Sequence, residues 1–246
     1  MIRRFDDHES LSRAVADLFV SQSLEAVRDR GRFTVALSGG STPRRTYQLL
    51  AEAPWRHRIP WDRIHLFWGD ERCVGQNDQR SNAGMVQHEL LDQVPVRPEQ
   101  VHPIRCHEDP RAGAAHYEEM LRAMLPGGQP ALDLILLGLG ENGHTASLFP
   151  QSPVLDETKR WAAEVYLPEQ DLYRVTLTPR IINAGRMVAF VVSGAEKGRI
   201  LQSVLEGPRQ YRNLPAQLID PRPGKLLWMM DRAAAALLEG RNGQVY

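Results

Sequence analysis

The sequence predicts an α/β fold in which a mostly parallel sheet carries helices on both faces. Two observations support this class. Short apolar runs alternate along the chain with segments whose apolar residues recur at helical spacing. Most of these runs are apolar throughout rather than at every second residue, which is typical of parallel strands buried on both faces. The sequence contains no Ser- or Pro-rich linker and no internal repeat, so we expect a single domain over residues 1–246.

The first half of the chain begins the alternation with a helix. Residues 10–29 place apolar side chains at helical spacing, and Gly31 follows as a stop signal. The run 33–38 predicts a strand, and we expect Ser41 or Thr42 to cap the helix that follows it. The next predicted elements are a strand at 64–69, helices at 81–91 and 110–125, a loop at 126–130 and a strand at 132–138.

The second half repeats the pattern. Apolar runs predict strands at 174–178, 186–194 and 225–230, and a helix is expected at about 195–205. The Ala- and Leu-rich end of the chain predicts a closing helix that begins at Asp231.

The composition favours a protein that acts on a small molecule. The 30 basic residues balance the 30 acidic residues and are interspersed with them, so we expect no nucleic-acid partner and no membrane partner. Cys73 and Cys106 lack the C-x-x-C spacing, which predicts neither a disulfide framework nor a thiol-rich metal site. Because no targeting or spanning segment is evident, we expect a cytoplasmic protein, present as a monomer or homodimer.

Four polar clusters follow predicted strands. They are "SGGSTP" (38–43), "GDER" (69–72), "GLGENGH" (138–144) and "SGAEK" (193–197). The carboxyl ends of parallel strands meet at one edge of a sheet, and ligands bind there. We therefore expect these clusters to form one site.

The cluster "SGGSTP" predicts a phosphate site. Gly39 and Gly40 let backbone N–H groups approach an anion, Ser41 and Thr42 add hydroxyl donors, and the next helix directs its positive end to the same place. The Walker pattern is absent, so no nucleoside triphosphate is implied. Lys197 could add a point charge to the phosphate, although taken alone it is more typical of a solvated surface lysine.

The cluster "GLGENGH" contains the G-x-G-x-x-G spacing at Gly138, Gly140 and Gly143, which is often a dinucleotide-binding turn. Dinucleotide binding requires a helix directly after the third glycine, whereas here Pro150 and Pro153 would end any helix within about two turns. We therefore predict no nicotinamide cofactor. The glycines instead present His144, whose imidazole titrates near neutrality and is suited to act as a general base.

Five ordered stretches together resemble one known family. They are "VALSGGSTP", "WGDER" with the following "SNAGM", "LGLGENGHTASLFP", "RVTLT" and "SGAEKGRIL". The resemblance is to the 6-phosphogluconolactonases, in the superfamily that also holds glucosamine-6-phosphate isomerase/deaminase. It implies a Rossmann-like fold, no cofactor, no metal requirement, and hydrolysis of 6-phospho-D-glucono-1,5-lactone to 6-phospho-D-gluconate in the oxidative pentose phosphate pathway.

This chemistry fits the residues present. Attack of water on a lactone needs a base and charge stabilisation, and the sequence shows no G-x-S-x-G nucleophile motif. The hypothesis makes His144 the base and Arg72 the stabiliser of the oxyanion. The proposed phosphate ligands are Gly39, Gly40, Ser41, Thr42, Arg174 and Lys197. Asp70 and Glu71 either orient Arg72 or contact sugar hydroxyls, or else form a salt-bridged strand end.

Two positions depart from the family patterns. Asn142 stands where the family commonly has aspartate, so the charge that stabilises an imidazolium must come from elsewhere, such as Glu141 or Asp70. Phe149 stands where the deaminases have a glutamate that assists sugar ring opening. Isomerase/deaminase activity is therefore the second enzymatic hypothesis, and a sugar-phosphate-binding protein without turnover is the non-enzymatic one.

Overall fold

The computed structural model describes residues 1–75, 77–125 and 130–239 and contains two sheets. The strands are β1 (Ile2–Phe5), β2 (Phe33–Leu37), β3 (Ile64–Trp68), β4 (Asp70–Arg72), β5 (Leu134–Leu137), β6 (Ala162–Leu167), β7 (Leu172–Leu177), β8 (Met187–Val192) and β9 (Lys225–Asp231). The helices are α1 (His8–Arg30), α2 (Ser41–Ala51), α3 (Trp55–Arg58), α4 (Asn82–Glu89), α5 (Pro110–Met124), α6 (Pro179–Asn183) and α7 (Gly198–Leu205).

The larger sheet has the strand order β1-β9-β8-β5-β2-β3, and each neighbouring pair is parallel. Every residue of β2 and β5 is buried, although successive side chains of a strand point to opposite faces. Both faces at the centre of the sheet are therefore covered. The predicted fold class, a mostly parallel sheet with helices on both faces, is confirmed.

The smaller sheet was not predicted from the sequence. It has the order β4-β7-β6 and is antiparallel, so the strand predicted at 174–178 belongs to this sheet rather than to the parallel one. Its register places Arg72 opposite Arg174. A strand of three charged residues such as β4 has too few positions to display a hydrophobic period.

Two buried tyrosines hold the strand ends from which the site loops leave. The Tyr47 hydroxyl donates to the Ser38 carbonyl at 2.7 Å and accepts from the Ser38 N–H at 3.1 Å. Tyr117 bridges the N–H and carbonyl of Trp68 in the same way, at 2.9 Å each. Burial raises the pKa of both phenols, so they remain neutral hydrogen-bonding groups.

The helix predicted after β2 forms, but its cap differs from the prediction. Gly40 occupies the N-cap with φ 99°, Ser41 is the first helical residue, and no side chain caps the helix. Ser41 and Thr42 are the first and second residues of the helix, so neither stands at the N-cap position from which a side chain accepts the first N–H groups. The N–H groups at the start of α2 are left without a side-chain acceptor.

The closing helix predicted from Asp231 is wrong. Asp231 ends β9 opposite Phe5 of β1, and residues 232–237 form turns. The Asp231 carboxylate does accept a hydrogen bond from the Ala234 N–H at 2.7 Å, as a helix cap would. It also accepts hydrogen bonds from the Ser193 hydroxyl and the Gly194 N–H. Tertiary pairing thus overrides the helix propensity of the alanines.

The prediction of no disulfide framework is also wrong, because Cys73 and Cys106 form a disulfide with Cα atoms 4.9 Å apart. Cys73 directly follows β4, and Cys106 precedes α5. The fold brings together two residues 33 positions apart that share no sequence motif. Disulfides are more common in oxidising compartments than in the cytosol.

Other predictions concern features that the described residues test only in part. Among the described residues, no helix has the length and the apolar character that a membrane crossing requires. The same residues contain no group of three or more His, Cys, Asp or Glu side chains that could hold a metal ion. The loop predicted at 126–130 lies outside the described residues except for Pro130.

Candidate active site

A cavity of about 930 Å³ opens at the carboxyl ends of the central parallel strands. Ten candidate residues from the sequence line it: Asp70, Arg72, Asn142, His144, Gly39, Gly40, Ser41, Thr42, Arg174 and Lys197. The structure therefore brings these residues to one place, as the strand-end argument expects. Glu71 does not line this cavity.

The loop between β2 and α2 forms one end of the cavity. A Cβ atom on Gly39 would lie 1.8 Å from Asn82 Oδ1, so only glycine fits against that side chain. Gly40 has φ 99°, which glycine adopts without strain. The uncapped N-terminus of α2 points its free N–H groups and its positive dipole end at this part of the cavity, an arrangement suited to a phosphate.

Lys197 reaches the cavity from the turn that precedes α7. Asp231 anchors this turn by accepting the Ser193 hydroxyl and the Gly194 N–H. The Lys197 ammonium lies 4.0 Å from the Glu141 carboxylate, whose side chain is 78% exposed. So exposed a partner leaves the lysine available to an anionic ligand.

Two guanidinium groups enter the cavity side by side from β4 and β7. The Nε–H groups of Arg72 and Arg174 are buried and have no hydrogen-bond partner among the described residues. Arg174 is only 7% exposed and its nearest charged partner, Asp70, lies 3.8 Å away. Burial lowers the pKa of Arg174, which reflects the cost of keeping this charge out of water. An anion in the cavity would compensate both groups.

Glu71 anchors the backbone rather than facing the cavity. Its buried carboxylate accepts the N–H groups of Arg72, Asn82 and Ala83 at 2.7–2.8 Å. Burial raises its pKa, and these three hydrogen bonds oppose the rise. Of the roles considered from the sequence, the geometry fits one: Glu71 fixes Arg72, together with the start of α4.

Asp70 interacts with both Arg174 and His144 in the cavity. Its carboxylate accepts the Ser147 hydroxyl at 2.7 Å and the Asn82 amide at 3.3 Å. It also faces Arg174, and its negative charge acts to raise the pKa of His144. Of the two carboxylates considered as a substitute for the missing aspartate at position 142, Asp70 influences His144, whereas Glu141 pairs with Lys197.

His144 is oriented by Asn142. Asn142 Oδ1 lies 2.5 Å from His144 Nδ1 and also accepts the His144 backbone N–H at 3.2 Å. Since a carbonyl oxygen only accepts, the proton of the neutral imidazole resides on Nδ1. Nε2 therefore carries a free lone pair, which is the form that a general base requires.

The pKa of His144 is lowered from its ordinary value to about 4, chiefly by burial. Asp70 opposes this shift, while Arg174, Lys197 and Arg72 add to it. His144 is consequently neutral at physiological pH and able to accept a proton.

The segment after the glycines excludes a dinucleotide turn. Gly143 has φ 80°, and the chain continues into a turn in which Thr145 and Leu148 form a bridge. The next helical element is a single 3-10 turn at Pro153–Asp156. No helix begins directly after Gly143 to hold a pyrophosphate, as the sequence predicted.

Other residues line the cavity without having been assigned to it from the sequence, and they include His8, Asn82, Phe149 and Gln170. His8 contacts the Thr42 carbonyl at 3.0 Å, and Gln170 accepts from Arg174 at 2.8 Å. Asn82 lies within the quoted "SNAGM" stretch, so a sequence signal was available for it. His8 and Gln170 come from α1 and from the turn before β7, where no local pattern marks them.

Known proteins are similar to this chain over most of its length. Residues 6–228 match the family model of glucosamine-6-phosphate isomerases/6-phosphogluconolactonase. A 6-phosphogluconolactonase of Nostoc sp. is 39% identical over 94% of this chain and 95% of its own length, and that of Haemophilus influenzae is 36% identical over 83% and 87%.

Solved structures show the same relationship. The 6-phosphogluconolactonase from Trypanosoma brucei has a TM-score of 0.86 at 27% identity, covering 97% of this chain and 98% of its own. A monomeric glucosamine-6-phosphate deaminase shares the fold, with a TM-score of 0.80 at 20% identity over 96% of this chain and 100% of its own. The chain belongs to the glucosamine-6-phosphate isomerase/6-phosphogluconolactonase family.

Proposed function

We propose that this protein is an enzyme that hydrolyses 6-phospho-D-glucono-1,5-lactone to 6-phospho-D-gluconate, the second step of the oxidative pentose phosphate pathway. One observation carries the proposal. A neutral histidine with a free Nε2 shares a cavity with an uncapped helix N-terminus and three cationic side chains. The family relationship supports the same activity.

The reaction needs one base and no covalent intermediate on the protein. His144 Nε2 takes a proton from water as the oxygen of that water attacks C1 of the lactone. The carbonyl electrons move onto oxygen, where Arg72 stabilises the negative charge. Collapse of this intermediate breaks the bond between C1 and the ring oxygen, which takes a proton from the His144 imidazolium. The product acid then releases one proton to solvent.

The phosphate serves to position the ring. The first amides of α2, the hydroxyls of Ser41 and Thr42, and the charges of Lys197 and Arg174 would hold it. Anchoring the substrate at this end fixes C1 relative to His144 and lowers the entropic cost of attack. Asp70 supplies the negative charge that favours the imidazolium as it forms.

Glucosamine-6-phosphate isomerase/deaminase chemistry is a poorer match to this site. The residue before Pro150 is Phe149, whose ring stacks on His144 with centroids 4.3 Å apart. A phenyl ring cannot transfer the proton that sugar ring opening requires. We also propose that the protein works as a monomer or homodimer on a small phosphorylated lactone. We place it in the cytoplasm, a compartment in which a disulfide such as Cys73–Cys106 is uncommon.

Acid release measured in a pH-stat tests the function. Fresh 6-phosphogluconolactone should be hydrolysed well above its spontaneous rate with saturation kinetics, and unphosphorylated gluconolactone more slowly because it lacks the anchoring phosphate. Glucosamine 6-phosphate should release no ammonia. Binding of the lactone without faster acid release would contradict the proposal and identify a sugar-phosphate-binding protein instead.

The Asn142→Asp variant tests the role of the histidine partner. A carboxylate at this position would stabilise the imidazolium and raise the pKa of His144 above about 4. Because the base works in its neutral form, the acid limb of the kcat/KM profile should move to higher pH, by about one unit or more. Activity on the acid side should fall as a result.

Glu141→Gln is the matched control for this experiment. Glu141 adjoins Asn142 in the chain but pairs with Lys197, so removing its charge should leave the acid limb in place. An unchanged profile in Asn142→Asp would assign position 142 to packing alone.

A further inference from the structure

The Phe149 side chain contacts two members of the site at once. Its ring stacks on the His144 imidazole with centroids 4.3 Å apart and planes inclined by 30°. The Arg174 guanidinium carbon lies 5.4 Å from the centre of the same ring. Phe149 also lines the cavity. One aromatic side chain therefore joins the base to an anion-binding group.

The local backbone builds this contact into the fold. Ala146 takes a left-handed conformation with φ 48°, and the Leu148 N–H donates to the Thr145 carbonyl at 2.9 Å. This turn reverses the chain and returns residue 149 to the side of residue 144. The backbone is held on both sides of Phe149 in the chain. Before it, the Leu148 side chain is buried, and after it, the Gln151 N–H donates to the Arg212 carbonyl.

Polar contacts alone leave both partners of Phe149 incompletely held. Within the part of the chain that the structure describes, the His144 ring has one such contact, from Nδ1 to Asn142, which fixes an edge of the ring but not the tilt of its plane. Arg174 has Gln170 at 2.8 Å and Asp70 at 3.8 Å, and its Nε has no partner among the described residues. A flat apolar surface that stacks on one and attracts the other supplies the missing restraint.

We propose that Phe149 is a positioning residue for the lactone hydrolysis proposed above: its ring fixes the plane of the His144 imidazole and gives the Arg174 guanidinium a surface to rest on. The base and the phosphate ligand thereby keep a constant separation. This inference rests on the proposed function.

The ring should also affect the titration of His144, because it keeps water from one face of the imidazole. Four charged groups face His144: Asp70 and Arg72 from β4, Arg174 from β7 and Lys197 from the turn before α7. Removal of the ring would hydrate the imidazole and loosen Arg174, and both changes favour the charged form. The pKa of His144 should then rise from about 4 toward its ordinary value.

The test compares Phe149→Ala with Phe149→Tyr in the full-length protein. In the alanine variant we expect kcat to fall by about tenfold or more, since misplaced bases lose much of their effect. KM should rise because Arg174 loses its support. NMR titration of His144 in the free protein should show the higher pKa. The tyrosine variant keeps the ring and should restore all three values to near those of the wild type.

Tyr166→Ala is the control, because this exposed aromatic residue lies on β6 and contacts Tyr173 instead of the site. If the circular dichroism spectrum shows that Phe149→Ala is unfolded, Phe149→Leu is tested in its place. Leucine keeps most of the apolar volume of the side chain but has no flat ring. Wild-type kcat, KM and His144 titration in a folded variant without the ring would overturn the inference. Absence of lactonase activity in the wild-type protein would refute the proposed function, while the NMR titration would still test the contact.

Discussion

Replacement of His144 by alanine should lower kcat/KM for 6-phosphogluconolactone by about 10²–10⁴-fold, the usual contribution of a general base. The loss should appear mainly in kcat, because the groups proposed to hold the phosphate lie on other elements and remain in place. A pH-stat assay of purified protein, corrected for spontaneous hydrolysis, measures both parameters. The pKa of about 4 adds a second expectation: wild-type activity should fall only as the pH drops toward that value.

His116→Ala is the matched control, because His116 is an exposed histidine on α5 outside the cavity. It should keep wild-type kinetics. Binding of 6-phosphogluconate, measured by calorimetry, should be close to wild type in both variants. Wild-type kcat in His144→Ala would remove this histidine from the mechanism and leave Asp70 as the base to test next.

The local patterns of the chain predict the parallel sheet and the loops at its edge. An apolar run followed by glycines and polar residues marks the carboxyl end of β2, β5 and β8, because each strand and its loop are contiguous in sequence. The strand-end argument brings Arg72 to this edge within the "GDER" cluster, whereas the candidate role of Arg174 rests on the family resemblance. Their side-by-side placement depends on the pairing of β4 with β7, which joins segments about a hundred residues apart and has no local signature.

The features missed from the sequence share this nonlocal origin. The disulfide joins two loops, and Gln170 reaches the site only because the hairpin of β6 and β7 lies beside it. Asp231 is a suitable helix cap by composition, yet its backbone pairs with β1 and its carboxylate holds the loop of Lys197. Helix propensity is worth a fraction of a kcal/mol per residue, so one additional strand pairing outweighs it.

The glycines of the "GLGENGH" stretch have different importance, and Gly140→Ala should reveal it. A Cβ atom on Gly140 would lie 2.0 Å from His144 Cε1 and 2.1 Å from Nδ1, so the imidazole must move by an ångström or more. The displaced ring would lose its hydrogen bond to Asn142 or its stacking on Phe149. We expect kcat to fall by about a hundredfold, the typical cost of misplacing a catalytic group by that distance.

Gly138→Ala provides the comparison, because a Cβ atom there meets no heavy atom within 4 Å and the backbone is not left-handed. It belongs to the same motif, two residues earlier, and should retain kcat. KM should change little in either variant, since neither glycine lies in the loop between β2 and α2. Equal kcat values in the two variants, with unchanged melting temperatures, would mean that Gly140 is not required to leave space for the imidazole. A selective loss at Gly140 would instead show that this glycine is required because the catalytic imidazole occupies the volume of its missing side chain.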